Sequence, residues 1–155
     1  MTASIPTMPT IDLQARRWLR LEGVAVLVAA GVAFGQLGGE FLWFVPALIV
    51  PDLAIAGYLG GPRSGAFVYN LVHNWALGLT VAGAGLAFGI APLAFAGTVL
   101  IAHTGVDRAA GYGVKLASGF GDTHLGRIGK AARSARAGNP ANDAVREPAA
   151  QTVAG

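Results

Sequence analysis

The sequence predicts an all-α fold: a four-transmembrane-helix bundle with both termini cytoplasmic and a disordered basic C-terminal tail. Three observations predict it. Of 155 residues, 54% are hydrophobic and only 12% charged, whereas about a quarter of a soluble domain is charged. Ser64 to Val106 is a run of 43 residues without Asp, Glu, Lys or Arg, room for two spans of about 20 residues each. All eleven Lys and Arg fall in the N-terminal arm, in one turn, or at the end of the last helix and the tail. A soluble bundle would carry a polar face at a 3.6-residue period, and these segments carry none.

Residues 1–18 form an N-terminal cytoplasmic arm, polar and proline-containing over Met1 to Thr10, and the basic amphipathic lead-in Ile11 to Leu21 carries Arg16, Arg17 and, at the start of the first span, Arg20. Arginines ahead of an apolar run also open a signal peptide, but the run here is long and the charged region extended. The first span covers about 19–37, interrupted only by Glu22 and Gln36, and Gly38-Gly39-Glu40 is the turn. The second span, about 41–60, opens on Phe41, Trp43 and Phe44, rings suited to a membrane interface. Pro46 and Pro51 kink it, because each removes a backbone donor and crowds the preceding turn. Gly60 to Gly65 is a tight turn, the third span covers about 66–88, and Gly89 to Pro92 breaks the chain before a fourth at about 93–112. Residues 113–129 are a cytoplasmic segment. Residues 130–155, rich in Ala, Gly, Asn, Pro and Arg without apolar periodicity, read as a disordered tail.

Four spans place the arm, the second-to-third turn and the tail on one side. The opposite side receives only 38–40 and 89–92, which contain no basic residue, so the positive-inside rule predicts a multi-pass protein of the cell (inner) membrane with both termini cytoplasmic. The net charge of +3 comes from these flanks, so no nucleic acid is expected as a partner. The lipid bilayer is, with a homodimer or larger membrane complex left open. Cysteine is absent, which excludes disulfides and thiolate metal sites.

Counting about 1.5 Å per helical residue, Asp52, His73 and His103 fall at similar depth, roughly 10 to 14 Å below the cytoplasmic surface. His103 and Asp107 are spaced i, i+4 and stack on one helical face; Asn70, His73 and Asn74 form a second stripe. Ionisable groups facing lipid cost several kcal/mol, so Asp52, Asn70, His73, Asn74, His103 and Asp107 are expected to converge. Gly31-xxx-Gly35, Gly35-xxx-Gly39 and Gly85-xxx-Gly89 would let backbones approach closely.

PDLAIAGYLGGPRSGAFVYNLVH (Pro51 to His73) and HTGVDRAAGYGVK with GFGDTHLGRIG (His103 to Gly129) resemble domain-of-unknown-function family 4260, a group of small bacterial membrane proteins. The resemblance covers about residues 19–129 and rests on Pro51-Asp52-Leu53, Gly61-Pro62-Arg63, Tyr69-Asn70 with His73, His103 with Asp107-Arg108, Gly111-Tyr112-Gly113 and Thr123-His124-Leu125. It implies a four-helix membrane protein and carries no established activity.

Three functional readings follow. In the first, the cluster is structural: His103 pairs with Asp107, Asp52 with Arg63 or Arg108, the asparagines join helices, and the protein is an accessory membrane subunit. In the second, Asp52, His73, His103 and Asp107 bind a transition metal, with His124 folding back as a further ligand, or the two histidines sandwich a haem. In the third, a cytoplasm-facing pocket binds a small polar ligand, a lipid headgroup or a proton, with Asn70, Asn74, Arg63 and Arg108 as ligand-binding groups.

Overall fold

The structure, a computed structural model, describes residues 13–129 and 132–134. The expected arm before residue 13 and nearly all of the expected disordered tail lie outside these residues. The described chain is almost wholly helical: α1 (Leu13–Gln36), α2 (Phe41–Ala47), a 3-10 helix (Val50–Gly60), α3 (Pro62–Val72), α4 (Trp75–Ala87) and α5 (Ala91–Ala110). A short antiparallel hairpin, β1 (Asp122–Thr123) with β2 (Gly126–Arg127), follows. Two stretches, Leu13–Gln36 and Phe41–Gly60, are long and apolar enough to cross a membrane. Leu42, Leu59, Phe67 and Phe88 are exposed, which is consistent with a membrane protein rather than a water-facing one.

α5 is the central element, packed against α1 on one side and α4 on the other, while α3 pairs with the 3-10 helix. The α1–α5 crossing is close because two glycines meet there. A Cβ on Gly105 would stand 2.9 Å from the Gly23 carbonyl oxygen and from Leu27 N, and one on Gly23 would stand 2.8 Å from the Gly105 carbonyl oxygen. Of the predicted small-residue positions, Gly85 lies against the α5 backbone at Ala94, whereas Gly31 makes only ordinary contact with Phe44. At the end away from the hairpin, Phe34 packs on Phe44 and Phe95 with ring centroids 4.7 and 5.1 Å apart. These three rings anchor the apolar core beside Ala30, Val99 and Ala102.

Two expected helices are not continuous. The second breaks at Leu48-Ile49, between α2 and an 11-residue 3-10 helix, long for a geometry that usually lasts three or four residues. The third, expected over 66–88, begins earlier at Pro62 and splits at His73-Asn74. Asn74 is the reason. Its backbone is extended, its side-chain oxygen accepts Leu77 N–H to start α4, and its amide donates to the Asn70 and Leu71 carbonyls that end α3. One side chain thus caps two helices.

Candidate metal centre

Pro51 shapes the site before any ionisable group is considered. In a 3-10 turn the Leu48 carbonyl would accept from the residue three positions on, but that residue is proline and has no N–H. The following donor, Asp52 N, goes instead to the Ile49 carbonyl at 3.1 Å. The Leu48 carbonyl is left to accept from His103 Nδ1 on α5 at 2.6 Å. On α3, the His73 ring turns back so that Nδ1 donates to the Tyr69 carbonyl at 2.9 Å. The same ring stacks on the Tyr69 ring, 3.6 Å between centroids and 9° from parallel.

Both histidines therefore spend the Nδ1 proton on a backbone carbonyl, which in a neutral ring puts the lone pair at Nε2. Those two Nε2 atoms are buried and have no hydrogen-bond partner. They face one carboxylate oxygen: His73 Nε2 lies 3.5 Å and His103 Nε2 3.6 Å from Asp52 Oδ1. One donor atom from each of Asp52, His73 and His103 lies within 4.8 Å of the others, the only such trio of His or carboxylate groups among the described residues. The imidazoles are enclosed while the Asp52 side chain is 46% exposed, so the trio is open on the aspartate side alone. At metal–ligand distances of about 2.0–2.2 Å, neighbouring donors on a tetrahedral or octahedral ion sit about 2.8–3.6 Å apart. The two His–Asp separations of 3.5 and 3.6 Å lie at the upper end of that range. The trio does not fit the expected haem sandwich, because the two rings meet edge to face with centroids only 4.7 Å apart, which leaves no room for a macrocycle between them.

Around the trio lies a second layer. Asp107 approaches His103 Nε2 at 3.9 Å through Oδ1, and its Oδ2 accepts a short hydrogen bond from the Tyr69 hydroxyl. Lys115 is 4% exposed. Its ammonium sits 4.0 Å from the Phe120 ring centroid and 5.1 Å from that of Tyr69, and it donates to the Phe120 carbonyl at 2.9 Å. Burial pushes the Lys115 ammonium below the ordinary lysine range, an effect that Asp107 opposes. Asp52, His103, Asp107, Tyr69 and Lys115 form the polar border of a cavity of about 950 Å³, whose other walls include Leu48, Ile49, Ile55, Val106 and Ile128.

A family model described as domain of unknown function (DUF4260) matches residues 16–128. The chain belongs to the DUF4260 family. Neither the curated proteins nor the solved structures gave a match. The matched region contains the trio, the cavity walls named above and the hairpin as far as Ile128.

The DUF4260 domain disposes of the remaining predicted site residues differently from the convergence expected. Asn70 exchanges two hydrogen bonds of 2.8 Å with the Lys115 backbone, clamping the post-helical segment to α3. Asn74 is spent on its two caps. Arg63 is exposed in the first turn of α3, and Arg108 donates to the Tyr112 carbonyl beside Arg16 and Arg20; neither borders the cavity or pairs with Asp52. His124 does not join the trio. It sits on the hairpin, where Nδ1 accepts the Val114 N–H at 2.8 Å, and burial with the Arg108 charge holds its pKa below the usual histidine value. Lys115 and the Leu48 carbonyl are site features that sequence reasoning missed. Pro51, one residue before a candidate ligand, was the available signal for the second; the first depends on how the chain folds back.

Proposed function

We propose that this DUF4260 protein is a multi-pass membrane metalloprotein in which His73, His103 and Asp52 hold a divalent first-row transition-metal ion. The observation that carries the reading is the pair of buried, unpartnered Nε2 atoms aimed at one carboxylate oxygen. Ligating histidines characteristically donate the opposite ring N–H to a carbonyl or carboxylate, as both do here. Two imidazoles and a carboxylate suit zinc or iron(II), and three protein ligands leave coordination open to substrate, the mark of a catalytic rather than a structural ion. A bound ion would supply Lewis acidity at the cavity wall. Asp107 and Tyr69 orient and polarise its surroundings.

The test is metal content with a visible spectrum on protein purified in detergent. About one ion per chain is expected in the wild type, lost in His73→Ala and in His103→Ala while helicity persists. A folded, metal-free wild type would sink the reading and return the cluster to the structural role of an accessory subunit.

The same proposal places four spans in the bilayer: α1, α2 with the 3-10 helix, α3 with α4, and α5, with both termini cytoplasmic. Its support is that basic residues gather at one end. Arg20 donates to the Ala110 carbonyl at the end of α5, and Tyr58, near the turn that carries Arg63, packs on Phe120 at 5.2 Å. Phosphatase and green-fluorescent reporters fused after residue 155 check it: fluorescence without phosphatase activity is expected, and the reverse would overturn the orientation.

A further inference from the structure

The cavity beside the trio contains more information than a metal alone requires. Its polar groups are contiguous: His103 touches Asp107, Asp107 accepts from Tyr69, and the Tyr69 ring faces Lys115. The remaining lining is mostly hydrocarbon or ring, with Tyr112, Gly121 and Gly129 besides, and Ile49, Ile55 and Val106 are exposed on the outer surface as well as bordering the cavity. In a span, such residues face lipid, so on the side of Ile49, Ile55 and Val106 the cavity meets the bilayer, while Phe120, Gly121 and Ile128 of the post-helical segment border it at the hairpin end. A ligand arriving by that route is amphiphilic.

Charge fixes its head. A divalent ion and the Lys115 ammonium face the carboxylates of Asp52 and Asp107, which leaves one positive charge uncompensated. A monoanion neutralises it; a dianionic phosphate would add repulsion against two carboxylates, and a cation would meet Lys115. The ammonium makes one protein hydrogen bond, to the Phe120 carbonyl, and its other two N–H donors have only ring faces as protein neighbours, so they can donate to a ligand.

Resting on the metal reading, we infer that the substrate of this centre is a single-chain membrane amphiphile with a carboxylate head. The head lies between Lys115 and the Asp52–His73–His103 centre, and the hydrocarbon chain runs along Ile49, Ile55 and Val106 towards the lipid.

Tritiated palmitate binding to the protein in phosphatidylcholine nanodiscs tests this, with hexadecanol and acetate as competitors and metal content read on the same samples. Saturable binding near one per chain is expected, with hexadecanol competing about tenfold more weakly for want of the charge-assisted contact and acetate failing for want of a chain. Lys115→Gln weakens palmitate by about the same factor and leaves the ion in place; Lys115→Arg retains binding; Ile55→Trp blocks the chain without removing the ion. If Lys115→Gln does not fold, the hexadecanol comparison decides by itself. Equal competition by hexadecanol, or retention no greater than in empty nanodiscs by metal-loaded protein, would overturn the inference alone. Lys115-dependent palmitate binding by a metal-free protein would overturn the metal reading and leave the amphiphile site standing.

Discussion

The α1–α5–α4 layer and the segment from Leu48 to Asn74 are built by opposite rules. In the first, helices run 13 to 24 residues without interruption, and backbones meet at glycines. In the second, prolines and an asparagine break the helix hydrogen-bonding pattern, and two of the three candidate ligands sit at or beside the breaks. Continuous helix consumes its own carbonyls. Broken helix releases them, and a released carbonyl at Leu48 is what holds His103 in its orientation. Support lies mainly in the first stretch and two of the three candidate ligands in the second, with His103 on α5 joining them.

Three perturbations sharpen or break that division. The largest effect is expected from Gly105→Val, which forces a side chain into the Gly23 and Leu27 backbone and should cost about 1–3 kcal/mol of stability. Thermal unfolding in detergent should show the loss while the remaining folded protein keeps its ion. Pro51→Ala works the other way. It restores an N–H that competes for the Leu48 carbonyl, and loss of a histidine's outer-shell partner typically weakens metal binding about 10-fold or more. Calorimetric titration should register the drop with unfolding nearly unchanged; a parallel loss of stability would mean that the two regions are not separable.

The smallest effect concerns the hairpin. The folded pKa of His124 lies below its ordinary 6.5, so the neutral ring contributes stability that is present above 6.5 and fades as pH falls through that value towards the folded pKa. Protonation occupies the Nδ1 that accepts Val114 N–H. Amide exchange at Val114 should quicken in acid, and His124→Gln should flatten that pH dependence while leaving metal content alone.

Much of the helical layout could be read from hydropathy and charge, and rise per residue put Asp52, His73 and His103 at one level, three residues whose donor atoms lie within 4.8 Å of one another. The break at His73-Asn74 could not, because it lies inside a 43-residue uncharged run in which hydropathy offers no punctuation. Asn74 at i+4 from Asn70 reads equally well as a stripe on one helix. Only the extended backbone at Asn74 distinguishes a cap from a ligand. Lys115 was illegible for a different reason: its place depends on Asn70, 45 residues earlier, and on a chain reversal that Gly111 begins in the left-handed region at φ 90°.

The contrast between two enclosed imidazoles and an open Asp52 gives the proposed centre a direction in time. Asp52, the one exposed group of the three, would be the first to meet an arriving cation, and the two enclosed Nε2 atoms would complete its binding from the inner side.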